Sequence, residues 1–328
     1  MSETVLELRN LKVAFPTTHG LIRAVEGVDL SVVAGECLAL VGESGCGKSV
    51  TSLAAMRLLD TSSAVVRADV HRICGTDVQK LTEREMTAVR GKQVSMIFQD
   101  ALSALNPVMT VGRQLDEIFC LHLHLSKSQA KQRSIEALSM VGIPESQMRY
   151  RAYPHELSGG MRQRVLIAMA FACNPKLIIA DEPTTALDVT VQAQVLSLLR
   201  RLQKQHGTAI LLISHDLSVV SQMADNIAVM YSGKIVEQAA TKELLRNPLH
   251  PYTKGLLSAV VRMDETTQRF AQIPGTLPNP ADKPSGCYYC PRCAVKMQRC
   301  TAQMPRLHDV GNGHSVRCFS AGGDDIVG

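Results

Sequence analysis

Five apolar residues, Cys37-Leu38-Ala39-Leu40-Val41, run into Gly42-Glu43-Ser44-Gly45-Cys46-Gly47-Lys48-Ser49, and helical spacing begins at Ser49. No other stretch restricts the fold as strongly. A buried strand must end, the backbone must turn tightly, and a helix must begin with its first N–H groups aimed into the turn. The glycines let several N–H groups approach a ligand without side-chain obstruction. Lys48 supplies a point charge for β and γ phosphates, and the Ser49 hydroxyl is an oxygen ligand for Mg²⁺. The positive pole of the helix favours the same anion.

Further strands and helices alternate around this unit. Val5 to Phe15 and Ala24 to Val33 show period-two alternation, which predicts a small antiparallel sheet. Val94 to Phe98 is a short strand ending at Gln99, and Asp116 to Met140 reads as a helical insertion. Met161 to Ala172 is a helix opening at Ser158-Gly159-Gly160. Leu177 to Ala180 and Ala209 to Ile213 are buried-type strands separated by a helix over Val191 to Gln203, and Ile227 to Tyr231 with Ile235 to Gln238 forms a closing hairpin. That order predicts an α/β fold with a mostly parallel sheet covered on both faces.

Asp181 and Glu182 follow the strand at Leu177, where open α/β sheets place their ligands. Asp181 is the expected Mg²⁺ ligand, and Glu182 the expected general base for an attacking water. His215 follows the strand at Ala209 in the same way. The net charge of +5 is modest over 328 residues, and Trp is absent, so nothing resembles a basic, aromatic-rich nucleic-acid surface. No run of 18 apolar residues crosses a membrane, and the acidic N-terminus lacks a secretory pattern; a cytosolic setting is the expectation.

Leu157-Ser158-Gly159-Gly160-Met161-Arg162-Gln163, together with the phosphate loop and Asp181-Glu182, resembles the ATP-binding-cassette ATPases. The resemblance implies a cassette nucleotide-binding domain over 1–240. It contains a phosphate-loop core, an antiparallel β subdomain and a helical subdomain at about 100–160. It also implies that Ser158, Gly159 and Gly160 serve the nucleotide of a partner cassette. Gly42, Ser44, Gly45, Cys46, Gly47, Lys48, Ser49 and Val50 line the chain's own nucleotide. Gln99 reaches the metal and attacking water, His215 contacts the γ-phosphate, Ala186-Leu187-Asp188 lines the dimer interface, and Phe15 stacks on adenine.

Leu105-Asn106-Pro107-Val108-Met109-Thr110-Val111-Gly112, Tyr153-Pro154-His155-Glu156 and His250-Pro251-Tyr252-Thr253 narrow the resemblance to the dipeptide and oligopeptide importers. The implied partners are a companion ATPase in a heterodimer, two membrane permeases and a periplasmic peptide-binding protein. The implied place is the cytoplasmic face of the inner membrane. Two other classes are weighed: a soluble cassette ATPase of translation or DNA repair, and an electron carrier or nucleic-acid module built on cysteines. The single cassette, the missing coiled-coil insertion and the modest charge stand against them.

Beyond about Lys242, prolines make long helices unexpected, and 241–328 reads as an accessory region. It holds Cys287-x2-Cys290-x2-Cys293-x6-Cys300-x17-Cys318. By spacing alone, Cys287, Cys290, Cys293 and Cys300 resemble a compact ferredoxin run. The peptide-importer resemblance instead implies Cys287, Cys293, Cys300 and Cys318. Four thiolates suit a [4Fe–4S] cluster, with Zn²⁺ as the alternative, and the expected role is a structural staple.

Overall fold

The computed structural model describes residues 3–18, 20–185, 187–261 and 273–321. They fall into two compact units, one drawn from Met1–Leu6, Val32–Glu36 and Arg72–Leu211, the other from Glu7–Ser31, Cys37–His71 and Leu212–Gly328.

In the second unit, the apolar run Cys37–Val41 is a strand buried along its whole length. It pairs in parallel with Asn226–Tyr231, matching Leu38 with Asn226 and Val41 with Val229. Asn226–Tyr231 turns back antiparallel into Lys234–Ala240 through Ser232 and Gly233, both at positive φ. Two consecutive positive φ values make the turn whose twist matches a two-residue hairpin. The strands Thr4–Thr17 and Gly20–Val33 are longer than their alternation indicated and neighbour each other in an antiparallel-type sheet that also takes Val65–Arg67 alongside Lys12–Ala14. All three residues of Val65–Arg67 are exposed, which is why no burial pattern marks this strand in the sequence.

The helix whose spacing begins at Ser49 spans only Lys48–Ala55. It stops because Arg57 adopts a left-handed φ of 52°. The Leu58 N–H then bonds to the Leu53 carbonyl and the Arg57 N–H to the Ala54 carbonyl, which satisfies the last helical carbonyls. Beyond Lys242 the expectation of no long helix fails at Pro251–Val261. Pro251 occupies the first helical position, where its missing N–H costs nothing.

In the first unit, Val94–Ile97 pairs in parallel with Leu177–Asp181, and the latter also neighbours the start of Ala209–Ser214. The helix Val189–His206 begins at Asp188, whose carboxylate accepts the Val191 N–H. The predicted helical insertion is two helices, Val111–Leu123 and Lys127–Met140. The break has a local cause: His124 takes φ 54°, and Ser126 and Gln129 cap each other across the next helix start. Gly112 packs face-on against Tyr150; a Cβ there would lie 2.2 Å from its ring. Tyr150 and Ser134 both donate to the Asp116 carboxylate, which ties the helical subdomain together.

Candidate nucleotide site

The phosphate loop leaves its strand and starts the helix Lys48–Ala55 with Gly47 as N-cap in the left-handed region, φ 109°. A Cβ at Gly47 would lie 2.7 Å from the Ala24 carbonyl oxygen, so close backbone approach as well as φ requires glycine here. Lys48 is 5% exposed, and its Nζ donates to the carbonyls of Gly42 at 2.8 Å and Glu43 at 3.0 Å. That curls the loop around the ammonium. Cys46 is buried beneath the loop, and desolvation pushes its thiol up, so it stays protonated at neutral pH. Ser44, Gly45 and Ser49 are exposed and Val50 is half-buried. Phe15 is half-buried on its strand. His215 is exposed directly after Ser214, and Asp216 caps the helix that follows.

The first unit gathers the carboxylates. Asp181 is the last residue of its strand and 5% exposed. Glu182 leaves the strand at φ 47°, a left-handed conformation uncommon for a residue with a side chain. Its Oε2 accepts the Gln99 amide at 3.0 Å and the Thr185 hydroxyl at 2.9 Å. The structure thus brings together Gln99 and Glu182, which lie 83 residues apart. Ser158 is exposed and caps the helix Gly159–Phe171 by accepting the Met161 N–H at 3.3 Å. Gly160 permits a close helix approach, because a Cβ there would come within 2.7 Å of the Val191 side chain. Leu187 and Asp188 of the expected interface loop are described, whereas Ala186 lies outside the described residues.

Sequence reasoning missed what surrounds Glu43. Its carboxylate receives a bidentate pair from Arg292, Nη1 to Oε2 at 2.7 Å and Nη2 to Oε1 at 3.0 Å. Its backbone N–H donates to the Tyr252 hydroxyl at 2.8 Å. A second anchor joins Lys283 Nζ to Glu26 at 2.7 Å and to the Arg23 and Ser232 carbonyls. A third joins His314 Nε2 to Glu237, whose fully buried carboxylate also accepts the Leu249 and His250 N–H groups. The described residues beyond Thr241 therefore pack within the same unit as the phosphate loop.

Cys287, Cys290, Cys293, Cys300 and Cys318 line one cavity of about 10 Å³, room for roughly one water. Cys290, Cys300 and Phe319 form a small apolar cluster with Cys287 and Met297 packed against it. Desolvation pushes Cys287 up to about 11, with the neighbouring Cys300, Cys318 and Cys290 adding to the rise. The donor chemistry suits a thiophilic metal, since all five cysteines line one space. The expected ligand arrangement is not formed: among the described residues no group of three or more His, Cys, Asp or Glu side chains is placed to hold a metal ion.

Residues 25–185 match the ABC transporter family, and residues 236–300 match the oligopeptide/dipeptide transporter C-terminal region. The oligopeptide transport ATP-binding protein AppD of Bacillus subtilis is 47% identical over 96% of both chains. The dipeptide transport ATP-binding protein DppD of the same organism is 46% identical, covering 97% of this chain and 95% of its own. OppD of Salmonella typhimurium, an oligopeptide transport ATP-binding protein, is 45% identical with coverage of 97% and 94%. The dimeric ATP-binding cassette MJ0796, in a post-hydrolysis state with ADP and phosphate, superposes with a TM-score of 0.63 at 26% identity, covering 72% of this chain and 98% of its own. Among the described residues no helix is long and apolar enough to cross a membrane. The chain belongs to the ATP-binding-cassette transporter ATPases, in the branch that carries the oligopeptide/dipeptide transporter C-terminal region.

Proposed function

We propose that this chain is the ATP-hydrolysing subunit of an importer of dipeptides and other short peptides, bound to the cytoplasmic side of the membrane through permease subunits. What carries the reading is one continuous chain that combines a cassette with the peptide-transporter C-terminal region, at 44–47% identity to peptide transport ATP-binding proteins along nearly its whole length. The assembly is a heterodimer with a companion ATPase, two permeases and a periplasmic peptide-binding protein. Residues 1–240 supply the cassette and 241–328 its accessory region.

In this reading the phosphate loop and Lys48 hold the β and γ phosphates, Phe15 stacks on the base, and Glu182 takes a proton from the attacking water. Gln99 holds that carboxylate in place, which supports its role beside the water. His215 contacts the γ-phosphate. Ser49, Asp181 and Gln99 are oxygen donors of the kind Mg²⁺ takes, and the metal supplies charge neutralisation at the phosphates. Ser158 and Gly160, at a helix start, serve the partner's nucleotide, so closure of two cassettes completes each site. ATPase activity assayed against protein concentration and in the purified complex tests this reading. Activity should be low for the isolated chain and rise with the companion ATPase and permeases. Full turnover by a strict monomer would overturn it.

Cys287, Cys293, Cys300 and Cys318 are proposed as ligands of a [4Fe–4S] cluster, or of Zn²⁺, that staples the accessory region. The supporting observation is five cysteines lining one cavity. Ligation requires the thiols to deprotonate. Iron, sulfide and zinc analysis of anaerobically purified full chain decides between the two, with Cys318→Ser losing the metal and Cys290→Ser keeping it.

A further inference from the structure

We propose that Arg292 and Tyr252 are positioning residues for the phosphate loop, acting on it through Glu43. The inference rests on the assignment of that loop to ATP and goes beyond it by giving the accessory region a part in nucleotide binding.

Glu43 is the first residue after the opening glycine of the loop, and every polar group it carries is engaged. Its N–H goes to the Tyr252 hydroxyl, its carbonyl takes the Lys48 ammonium, and its carboxylate takes both ends of the Arg292 guanidinium. Lys48 belongs to the loop itself, as does Cys46, whose N–H also reaches the Glu43 carbonyl at 3.3 Å. The other two partners are 209 and 249 residues away. A bidentate arginine pair fixes direction as well as distance, which a single ammonium does not.

Arg292 is itself immobilised. Its side chain is 5% exposed, and its Nε and Nη2 also donate to the carbonyls of Pro274 at 2.8 Å and Ile273 at 3.3 Å. Its ring neighbour is Tyr231, which stacks edge-on with Tyr252 at 4.7 Å. The hydrogen bonds to the Glu43 carboxylate raise the guanidinium further above its ordinary value. Backbone position follows from this. With Glu43 fixed at three points, its carbonyl stands where Lys48 Nζ bonds it, and the ammonium is held between the Gly42 and Glu43 carbonyls. If the clamp is removed, the loop's first turn gains freedom, and Lys48 shares its bonding between more loop conformations. ATP must then order the loop as it binds, which weakens affinity without touching the carboxylate that activates water.

Arg292 also lies between Cys290 and Cys293, in a 3₁₀ turn closed by the Cys293 N–H on the Cys290 carbonyl at 3.3 Å. The position of the guanidinium is therefore set by the cysteine segment.

The test uses the full chain, alone for binding and with its companion ATPase and permeases for turnover. A fluorescent ATP analogue is titrated into wild type, Arg292→Ala, Glu43→Gln and Tyr252→Phe, and thermal midpoints are recorded in parallel. We expect Arg292→Ala to weaken nucleotide binding about tenfold and Tyr252→Phe about threefold, with KM for ATP rising similarly and kcat within twofold of wild type. Tyr252→Phe keeps the buried ring and so separates positioning from stability. If it and Glu43→Gln bind nucleotide as tightly as wild type, the clamp is not a positioning device. A loss of kcat at unchanged KM overturns it equally. Wild-type protein that binds no nucleotide would refute the underlying site assignment instead.

Discussion

Acidification should loosen the accessory region through one histidine. His250 is 1% exposed, and burial pushes it down to about 3 from an ordinary value of 6.5. Its geometry shows why. Nδ1 accepts the Tyr252 N–H at 3.0 Å, so the ring caps the helix Pro251–Val261 as a neutral acceptor, and protonation there destroys the cap. The charged groups around it are the Glu237 carboxylate, which accepts the His250 N–H, and Arg317, whose positive charge opposes a second one. Because the folded value lies below the unfolded one, the unfolded chain takes up a proton that the native chain refuses. Stability is thus fully present above pH 6.5 and falls as pH drops towards 3. Each unit costs about 1.4 kcal/mol, or about 2 kcal/mol at pH 5. Urea unfolding followed by circular dichroism at pH 7.5, 6 and 5 measures this loss. His250→Asn retains a side-chain acceptor for the cap but does not titrate, so its stability should fall less by about 2 kcal/mol over the same range. Other carboxylates titrate in both proteins and cancel. Equal pH slopes for the two proteins would show that protonation of His250 is not what loosens the fold.

Glu182→Gln should cut hydrolysis by about 10²- to 10⁴-fold while leaving nucleotide affinity near wild type, measured by phosphate release in the assembled complex. Gly47→Ala places a methyl 2.7 Å from a carbonyl oxygen at φ 109°, and should abolish nucleotide binding in the titration described above. Gly160→Ala pushes the helix Gly159–Phe171 off Val191. Its ATPase loss in the complex should be partly restored by Val191→Ala, which removes the methyl groups it strikes; no restoration would mean that the glycine serves something other than helix approach.

How far the sequence could be read depended on whether the determinant was local. Cys37–Val41, Leu177–Asp181 and Ala209–Ser214 are buried at every residue, and their unbroken apolar runs announce this. Ser158 announces a helix start because a capping oxygen acts on N–H groups two or three residues on, whereas the caps at Asp188 and Ser126 emerge only in the structure. Arg57 and His124 end helices in left-handed conformations that no glycine marks in the sequence. The phosphate loop and Asp181-Glu182 were legible as motifs. The Gln99–Glu182 bond follows only once the parallel pairing of Val94–Ile97 with Leu177–Asp181 brings the two strand ends side by side. Arg292 on Glu43 leaves no mark at all, since an ion pair between residues 249 apart imposes no periodicity on either segment.

In the proposed reading two adjacent carboxylates do different work, and the backbone at Glu182 provides for it. Had the chain stayed extended past Asp181, the next side chain would point to the opposite face of the sheet. The left-handed turn at φ 47° instead keeps Glu182 at the strand end, where Gln99 and Thr185 both donate to one of its oxygens. A non-glycine residue in that region carries a backbone cost of about 1 kcal/mol or more, and it persists only where neighbours hold it. Here the neighbours are identifiable: Thr185 through its side chain and through its N–H on the Glu182 carbonyl at 3.2 Å, and Gln99 from the adjoining strand end. Asp181, one residue earlier, stays buried in the sheet and is fixed by it. The strained turn is what separates a rigid carboxylate suited to a metal from a half-buried one that can meet water.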